Sequence, residues 1–238
     1  MLPIIRPLTG AERERIGRSW AKRAETERLN ELRFQSLLQA LRVHGTISTV
    51  LELCERASID AQKHVSLCLK LAKDFGVDGS INQTMRPGPL APAELMVDQK
   101  VLYEVVAVGC VQQTYQGALL GRMYQSSKWP PIRLNSNIML EDKVWQGRMG
   151  WAHLGAAAQR LDITWLEPYL VIILRSAYEN LISDPLTEDF SRDDYGQFST
   201  TACSEIMREA ITTVILPGFE SFGLSIDACR KWVNELTN

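Results

Sequence analysis

The side chains of this chain that are best suited to chemistry are its cysteines, its histidines and a few carboxylates at helical spacing. The five cysteines are Cys54, Cys68, Cys110, Cys203 and Cys229. Their number is odd and no two of them form a CxxC pair, so they indicate neither a disulfide framework nor a zinc site. This usage fits a reducing cytoplasm best.

The histidines and carboxylates offer two kinds of chemistry. His64 lies inside a helical pattern of apolar residues, whereas His44 and His153 are interpreted as surface or helix-end residues. Glu27 and Glu31 are one turn apart and are expected on one helix face. Histidine and glutamate together can act as acid and base, and both can also bind a metal ion. Whether these residues suit acid/base catalysis or metal binding depends on the helices that position them.

The composition is that of a globular chain with one sizeable core. With 238 residues, 45% of them hydrophobic, a single domain is the natural expectation. The formal net charge is −2 and the signs are interspersed, so neither a nucleic-acid partner nor a membrane-surface partner is predicted. The longest apolar segment, 163–182, contains Glu167, Arg175 and Glu179, which a bilayer tolerates poorly. Residues 1–7 do not resemble a signal peptide.

Helical periodicity runs along nearly the whole chain, without a β-alternating run or a hairpin turn. The predicted helices span residues 8–43, 46–75, 93–125, 135–161, 163–182, 200–222 and 225–236. Thr9 is the expected N-cap of the first helix, and Gly45 and Gly76 are expected to end the first two. Long connections are predicted over 76–92 and, as an acidic loop, over 184–195. The fold class is therefore predicted to be all-α.

A set of short segments stands in order along the chain. They are Leu8-Thr9-Gly10 leading to Trp20 and Glu27, then 34–45, 57–68, 88–90, 109–111 with Gln113-Thr114, 141–151, and 208–211 with 214–217. Together they resemble a family of ferritin-like proteins common in myxobacteria, and their order and spacing are more specific than any one motif. The resemblance implies a single domain over 1–238: a ferritin-like four-helix bundle over about 9–160, followed by additional C-terminal helices over about 163–237.

The resemblance also implies which positions would hold a di-iron centre. In such bundles two helices each supply a Glu, and two each supply a Glu-x-x-His pair. The matching positions here are Glu27, then Ala61 and His64, then Gln113, then Lys143 and Gln146. Only Glu27 and His64 keep a ligand type, and an ammonium group among the ligand positions opposes iron binding. No metal and no cofactor are therefore expected.

The altered positions predict a polar bundle axis instead of a metal site. Gly109, Gly117, Gly147 and Gly150 lie at matching places on helices three and four, where glycine costs about 1 kcal/mol relative to alanine, so they predict close helix packing or a cavity. If a cavity is present, the expected catalytic residues are Glu27, His64 and Lys143. The expected substrate-binding residues are Glu31, Gln113, Gln146, Gly117, Gly147 and Tyr115.

Three functions are compatible with these residues. The first is a metal-independent tailoring enzyme of bacterial secondary metabolism, which uses acid/base catalysis for a cyclisation, isomerisation, elimination or rearrangement of a small molecule. The second is a non-catalytic ligand-binding or interaction protein, whose core is closed by a Glu27–Lys143 ion pair. The third is a metalloenzyme with a reduced iron site at Glu27, Glu31 and His64. The first is favoured, because unconstrained decay of a metal site more often leaves apolar residues. A homodimer is compatible with any of them.

Overall fold

The computed structural model describes residues 7–82, 84–182 and 190–236, with no side-chain description for 181 and 182. Within these ranges the chain is all-α, as predicted: it has helices and turns, one isolated bridge between Arg192 and Gln197, and no β-strand. The predicted acidic loop at 184–195 lies largely outside the described residues.

Four long helical stretches form the first part of the bundle. They are α1 (Gly10–Val43), α2 (Ser48–Asp74), the stretch made of α3 (Val97–Val105), a π-helical segment (Val106–Gln112) and α4 (Gln113–Ser126), and finally α5 (Pro130–Ala158). Helix α1 packs along α2, α4 packs along α5, and α2 also packs against α5. Short connections make α1 antiparallel to α2, and α4 antiparallel to α5.

The helix ends follow from local chemistry. The Thr9 hydroxyl accepts from the backbone N–H of Glu12, and the Glu12 carboxylate accepts from the backbone N–H of Thr9, which closes a capping box at the start of α1. Gly45 and Gly76 follow the ends of α1 and α2 with φ values of 63° and 84°, in the region that favours glycine. All three sequence-based assignments are confirmed.

The predicted start of the fourth long helix at residue 135 is wrong, because α5 begins at Pro130. The predicted ranges left Trp129, Pro130 and Pro131 in the connection before that helix. Proline is also well suited to the first turn of a helix, since the N–H that it lacks has no partner there and its φ is already helical. The same prolines therefore mark the start of α5.

Further helices complete the chain. They are α6 (Glu167–Ile182), α7 (Thr200–Ala210), a π-helical segment (Ile211–Ile215), α8 (Leu216–Ser221) and α9 (Asp227–Glu235). Helix α6 packs against α7, α9 and the π-helical segment that precedes α4. Among the described residues, no helix combines the length and the apolar character that crossing a membrane would require.

The core contains two apolar clusters with polar residues between them. The larger cluster includes Ala24, Cys68, Leu119 and Met139, and the smaller includes Phe34, Ala57, Val108 and Met149. Between them, each long helical stretch contributes polar side chains. We call this set the polar layer: Glu27, Asn30, Glu31, His64, Gln113, Gln116, Asp142, Lys143 and Gln146, all of them buried. The polar layer is the part of the core that packing alone does not explain.

Candidate functional site

An ion pair lies at the centre of the polar layer. The Lys143 ammonium donates to Glu27 Oε2 at 2.8 Å and to Gln146 Oε1 at 3.0 Å. The side chain of Lys143 is 0% exposed and that of Glu27 is 2% exposed. An unpaired charge at such a position would be very costly, so each of these two side chains depends on the other.

The His64 imidazole lies between two carboxylates. Its Nδ1 is 3.3 Å from Glu27 Oε2 and its Nε2 is 3.0 Å from Asp142 Oδ2. A neutral imidazole can donate from only one of its nitrogens, so its other nitrogen would turn a lone pair toward a carboxylate oxygen. Only the doubly protonated ring donates to both. The geometry therefore favours an imidazolium ion at His64.

Asp142 joins this buried arrangement to the protein surface. Its Oδ2 accepts from Lys63 Nζ at 2.9 Å, and the Lys63 side chain is 49% exposed. Contacts thus run without a break from Lys143 through Glu27, His64 and Asp142 to Lys63. This series connects the centre of the bundle to the solvent.

The pKa values of both carboxylates in this series are lowered. Burial alone would raise the pKa of Glu27, but the Lys143 charge and the His64 hydrogen bond lower it to about 2. Burial also acts to raise the pKa of Asp142, whereas hydrogen bonds from His64 and Lys63 lower it to about 2. At neutral pH both carboxylates are therefore ionised.

These residues do not fit a di-iron centre. Glu27 Oε2, which would be a metal ligand, already accepts from Lys143 and contacts His64. The other expected carboxylate positions hold Ala61, Gln113 and Lys143. In the part of the chain that the structure describes, no group of three or more His, Cys, Asp or Glu side chains has an arrangement that could hold a metal ion. The donor chemistry thus suits protein cations, not iron.

The structure places Glu31 apart from Glu27, although the two are one turn apart. The Glu31 carboxylate accepts from Arg28 at 2.6 Å and from Gln35 at 3.3 Å. It takes no part in the hydrogen bonds around His64. Asn30 occupies the inner side of this turn, where its amide donates to Gln116 and accepts from Gln112.

Gln113 is the unsatisfied member of the polar layer. The residue is 1% exposed, yet neither its amide nitrogen nor its amide oxygen has a hydrogen-bond partner among the described residues. It follows directly after the π-helical segment, a feature that is frequent at functional sites. A buried amide without partners costs about 1–3 kcal/mol, so Gln113 is better satisfied if a ligand or a water molecule binds it.

The glycines locate Gln113 relative to α5. A Cβ added to Gly109 would lie 2.7 Å from Gly150 Cα, and one added to Gly117 would lie 3.9 Å from Lys143 Cβ. Because α4 and α5 are antiparallel, a residue midway between Gly109 and Gly117 lies opposite the turn midway between Gly150 and Lys143. Gln113 is therefore at the level of Gln146 and Gly147.

The same distances show why two of these glycines are present. At Gly109 and Gly150 the backbones of the two helices touch, so close packing is the reason for both residues. At Gly117 an added Cβ would meet its nearest neighbours at ordinary contact distance, and at Gly147 its nearest neighbour would be Gly109 O at 3.8 Å. The helices are thus closest at Gly109 and less tightly packed near Gly117.

Tyr115 is not brought to the other predicted site residues. It lies in the larger apolar cluster, where burial raises the pKa of its hydroxyl. That hydroxyl has no hydrogen-bond partner within the described ranges. Because Tyr115 is two residues from Gln113, it projects from a different face of α4.

Two surface clefts of the described structure lie away from the polar layer. One of about 260 Å³ is lined by residues of α6 and α7, among them Tyr178, Ser204 and Arg208. Another of about 120 Å³ is lined by Arg122, Asp193 and Phe198 together with residues of α7. Neither cleft includes a residue of the polar layer, and the residues of that layer are buried.

Two residues of the site, Asp142 and Lys63, were not predicted. Each is adjacent in sequence to a predicted residue, Lys143 or His64, and so lies about 100° around its helix from the axis-facing position. Side chains there sit at the border between core and solvent. The sequence carried no local signal for this pair, because Asp142 is on α5 and Lys63 is on α2.

Comparison of the chain with protein-family models, with curated proteins and with solved structures gave no significant match. Fold and geometry therefore define the class of protein by themselves. It is an all-α helical bundle whose core is divided by a buried ionic layer.

Proposed function

We propose that the chain is a ferritin-like four-helix bundle with additional C-terminal helices, in which protein charges replace the di-iron centre. Support comes from the position of the polar layer. Each of the four long helical stretches contributes to it, and apolar clusters lie on both sides. Ferritin-like bundles place their carboxylate and histidine ligands at such a level, on facing helices. Here the Lys143 ammonium neutralises Glu27 in place of a metal ion.

The function that we propose for this layer is metal-independent acid/base catalysis on a small molecule. The observation that carries the proposal is the position of His64 between two carboxylates, one of which connects to the solvent through Lys63. A structural ion pair needs only two charges. The additional imidazole and its surface connection supply a group that can give up a proton and be reprotonated.

Each residue has a role in this proposal. His64 is the acid, which releases a proton to the bound molecule. Glu27 accepts a proton from the same molecule and returns it to the His64 imidazole, 3.3 Å away, so that both groups regain their starting charge. Lys143 keeps Glu27 ionised before each turnover, and Asp142 exchanges the His64 proton with solvent through Lys63. Gln113 binds a polar group of the substrate, because neither its donor nor its acceptor has a partner among the described residues. The reaction class is a cyclisation, isomerisation, elimination or rearrangement that transfers protons and uses no oxidant.

The proposal is tested by proton exchange in a metabolite mixture. Chelator-treated protein is incubated with a bacterial small-molecule extract in D₂O, and mass spectrometry detects compounds that gain deuterium or change mass or retention. We expect at least one such compound with the wild-type protein and none with His64→Gln or Glu27→Gln. Glu31→Gln is the matched control, since Glu31 is a buried carboxylate of the same helix without a contact to His64. Turnover that requires added Fe²⁺ would contradict the proposal.

A second function is favoured by a specific observation. The backbones of α4 and α5 touch at Gly109 and Gly150, and no described cleft reaches the polar layer. This fits a non-catalytic ligand-binding or interaction protein whose core is closed by the Glu27–Lys143 pair. Under this alternative the D₂O experiment detects no changed compound with the wild-type protein. The double variant Glu27→Gln/Lys143→Met would then keep every property of the protein, including its stability.

A further inference from the structure

The groove between α2 and α5 carries an unusual arrangement of cations around Trp145. The guanidinium carbon of Arg148 lies 4.3 Å from the centre of the Trp145 ring, and that of Arg56 lies 4.8 Å from the same point. Each contact is a favourable cation–π interaction. One aromatic ring at the protein surface, itself 38% exposed, therefore contacts two like charges whose guanidinium carbons are at most about 9 Å apart.

The cations in this groove are more exposed than the carboxylates that pair with them. The cations Arg56 and Lys63 have side chains that are 47% and 49% exposed, and Arg148 is exposed as well. The carboxylates that pair with the first two, Asp60 and Asp142, are buried. These three cations are therefore exposed, whereas the carboxylates that pair with two of them are covered.

Arg148 has no ion-pair partner among the described residues. The nearest exposed acid on its own helix face is Glu141, and that carboxylate accepts from Asn137, one turn further from Arg148. Arg56 has one partner, Asp60, at 3.4 Å. Two guanidinium groups on one ring repel each other, and an anion bound beside that ring would reduce the repulsion.

We propose that Arg56 and Arg148, held by Trp145, form a binding site for a small oxyanion, that is, for the carboxylate or phosphate group of a ligand. Guanidinium groups present parallel N–H donors that match the paired oxygens of such groups. Trp145 positions both guanidinium groups, which lowers the entropy that they lose on binding. The site does not depend on the function proposed for His64, because none of its three residues belongs to the polar layer.

The site is tested by titration of the full chain with sodium phosphate and with sodium benzoate at constant ionic strength. Tryptophan fluorescence is the measurement, and the Trp145→Phe variant shows which part of the signal comes from this one of the six tryptophans. Both anions share the oxyanion group, and the tighter of the two indicates whether the natural group is a phosphate or a carboxylate. Benzamide, which is neutral, should give no saturable change.

Three arginine variants complete the test. We expect Arg56→Gln and Arg148→Gln each to weaken anion binding about tenfold, because each removes a charged donor. Arg133→Gln is the matched control: Arg133 is exposed and stacks on a single ring, that of Tyr124, at 5.0 Å. Equal weakening by Arg133→Gln, a response without saturation, or equal binding of benzamide would overturn the proposal.

Discussion

The polar layer and the two apolar clusters are built on the same helices and differ in what holds them together. On α1 the charged residue Glu27 lies between Ala24 and Phe34, and on α5 Lys143 lies between Met139 and Met149. Burial of the apolar residues stabilises the fold whichever apolar side chains surround them. The charged residues stabilise the fold only when their specific partners are present.

This difference has a practical consequence for mutations. In the apolar clusters the loss of one side chain costs in proportion to the volume removed, and neighbours partly compensate. In the polar layer the loss of one charge leaves the opposite charge buried and unpaired. Single and paired substitutions should therefore differ strongly in the polar layer, and the predictions below use that difference, from the largest effect to the smallest.

The largest effect is expected from removing the ammonium at the centre. Lys143→Met should lower the free energy of unfolding by about 3–5 kcal/mol, because Glu27 is then buried without its cation. The double variant Glu27→Gln/Lys143→Met should recover most of that loss. Urea denaturation of both variants measures the difference. If Lys143→Met costs no more than the double variant, the ion pair is not what stabilises this level.

Backbone contact between α4 and α5 gives the next largest effect. Gly150→Ala should cost about 2–3 kcal/mol, since its Cβ would lie 2.6 Å from Gly109 C and the backbones would have to separate. Gly117→Ala is the control on the facing helix, where a Cβ fits at 3.9 Å and the change should be neutral or stabilising by up to about 1 kcal/mol. Thermal unfolding distinguishes the two. Equal effects would contradict close packing at Gly109.

Acid should weaken the polar layer more than the apolar clusters. The pKa values of Glu27 and Asp142 are both lowered to about 2 in the folded chain, from 4.5 and 3.8. Their stabilisation is therefore complete above pH 5 and is lost as the pH falls toward 2. Between pH 6 and pH 3 the wild-type protein should lose about 2 kcal/mol more than Glu27→Gln/Lys143→Met. Parallel stability curves for the two proteins would contradict this origin of the acid sensitivity.

The smallest effect is expected from substitutions of Gln113 and Gln146, which lie at the same height along the bundle. Gln113→Leu should be neutral or stabilising by about 1 kcal/mol, because its amide has no partner in the described structure. Gln146→Leu should cost about 1–2 kcal/mol, because Gln146 accepts from Lys143. Urea denaturation measures both. A large cost at Gln113 would mean that its amide is satisfied by a bound molecule.

Much of the fold could be predicted because its signals are local. Thr9 with Glu12 is a capping box that four residues define, and Gly45 and Gly76 each mark a helix end by their own conformation. Local signals also explain the error at Pro130, since a proline is compatible both with the end of one helix and with the start of the next. The π-helical segment at Val106–Gln112 has no such signal in its residue types.

The site could be predicted only as far as helix faces allow. Glu27, His64, Lys143 and Gln146 do meet, because each occupies an axis-facing position. Glu31 was expected with them, but nearby Arg28 and Gln35 draw its carboxylate away. Asp142 was missed because its partners, His64 and Lys63, are on another helix, and pairing across helices depends on a register that no local pattern gives.

The claim that protein charges hold the polar layer is tested most directly by iron binding. The purified chain is incubated with Fe²⁺ without oxygen, freed of excess iron and analysed for metal content. A variant with Ala61→Glu, Gln113→Glu, Lys143→Glu and Gln146→His, which restores the six-ligand pattern, is the positive control. We predict near-zero iron in the wild-type chain. About one or two iron ions per wild-type chain would contradict the claim and point to a metal centre at Glu27 and His64.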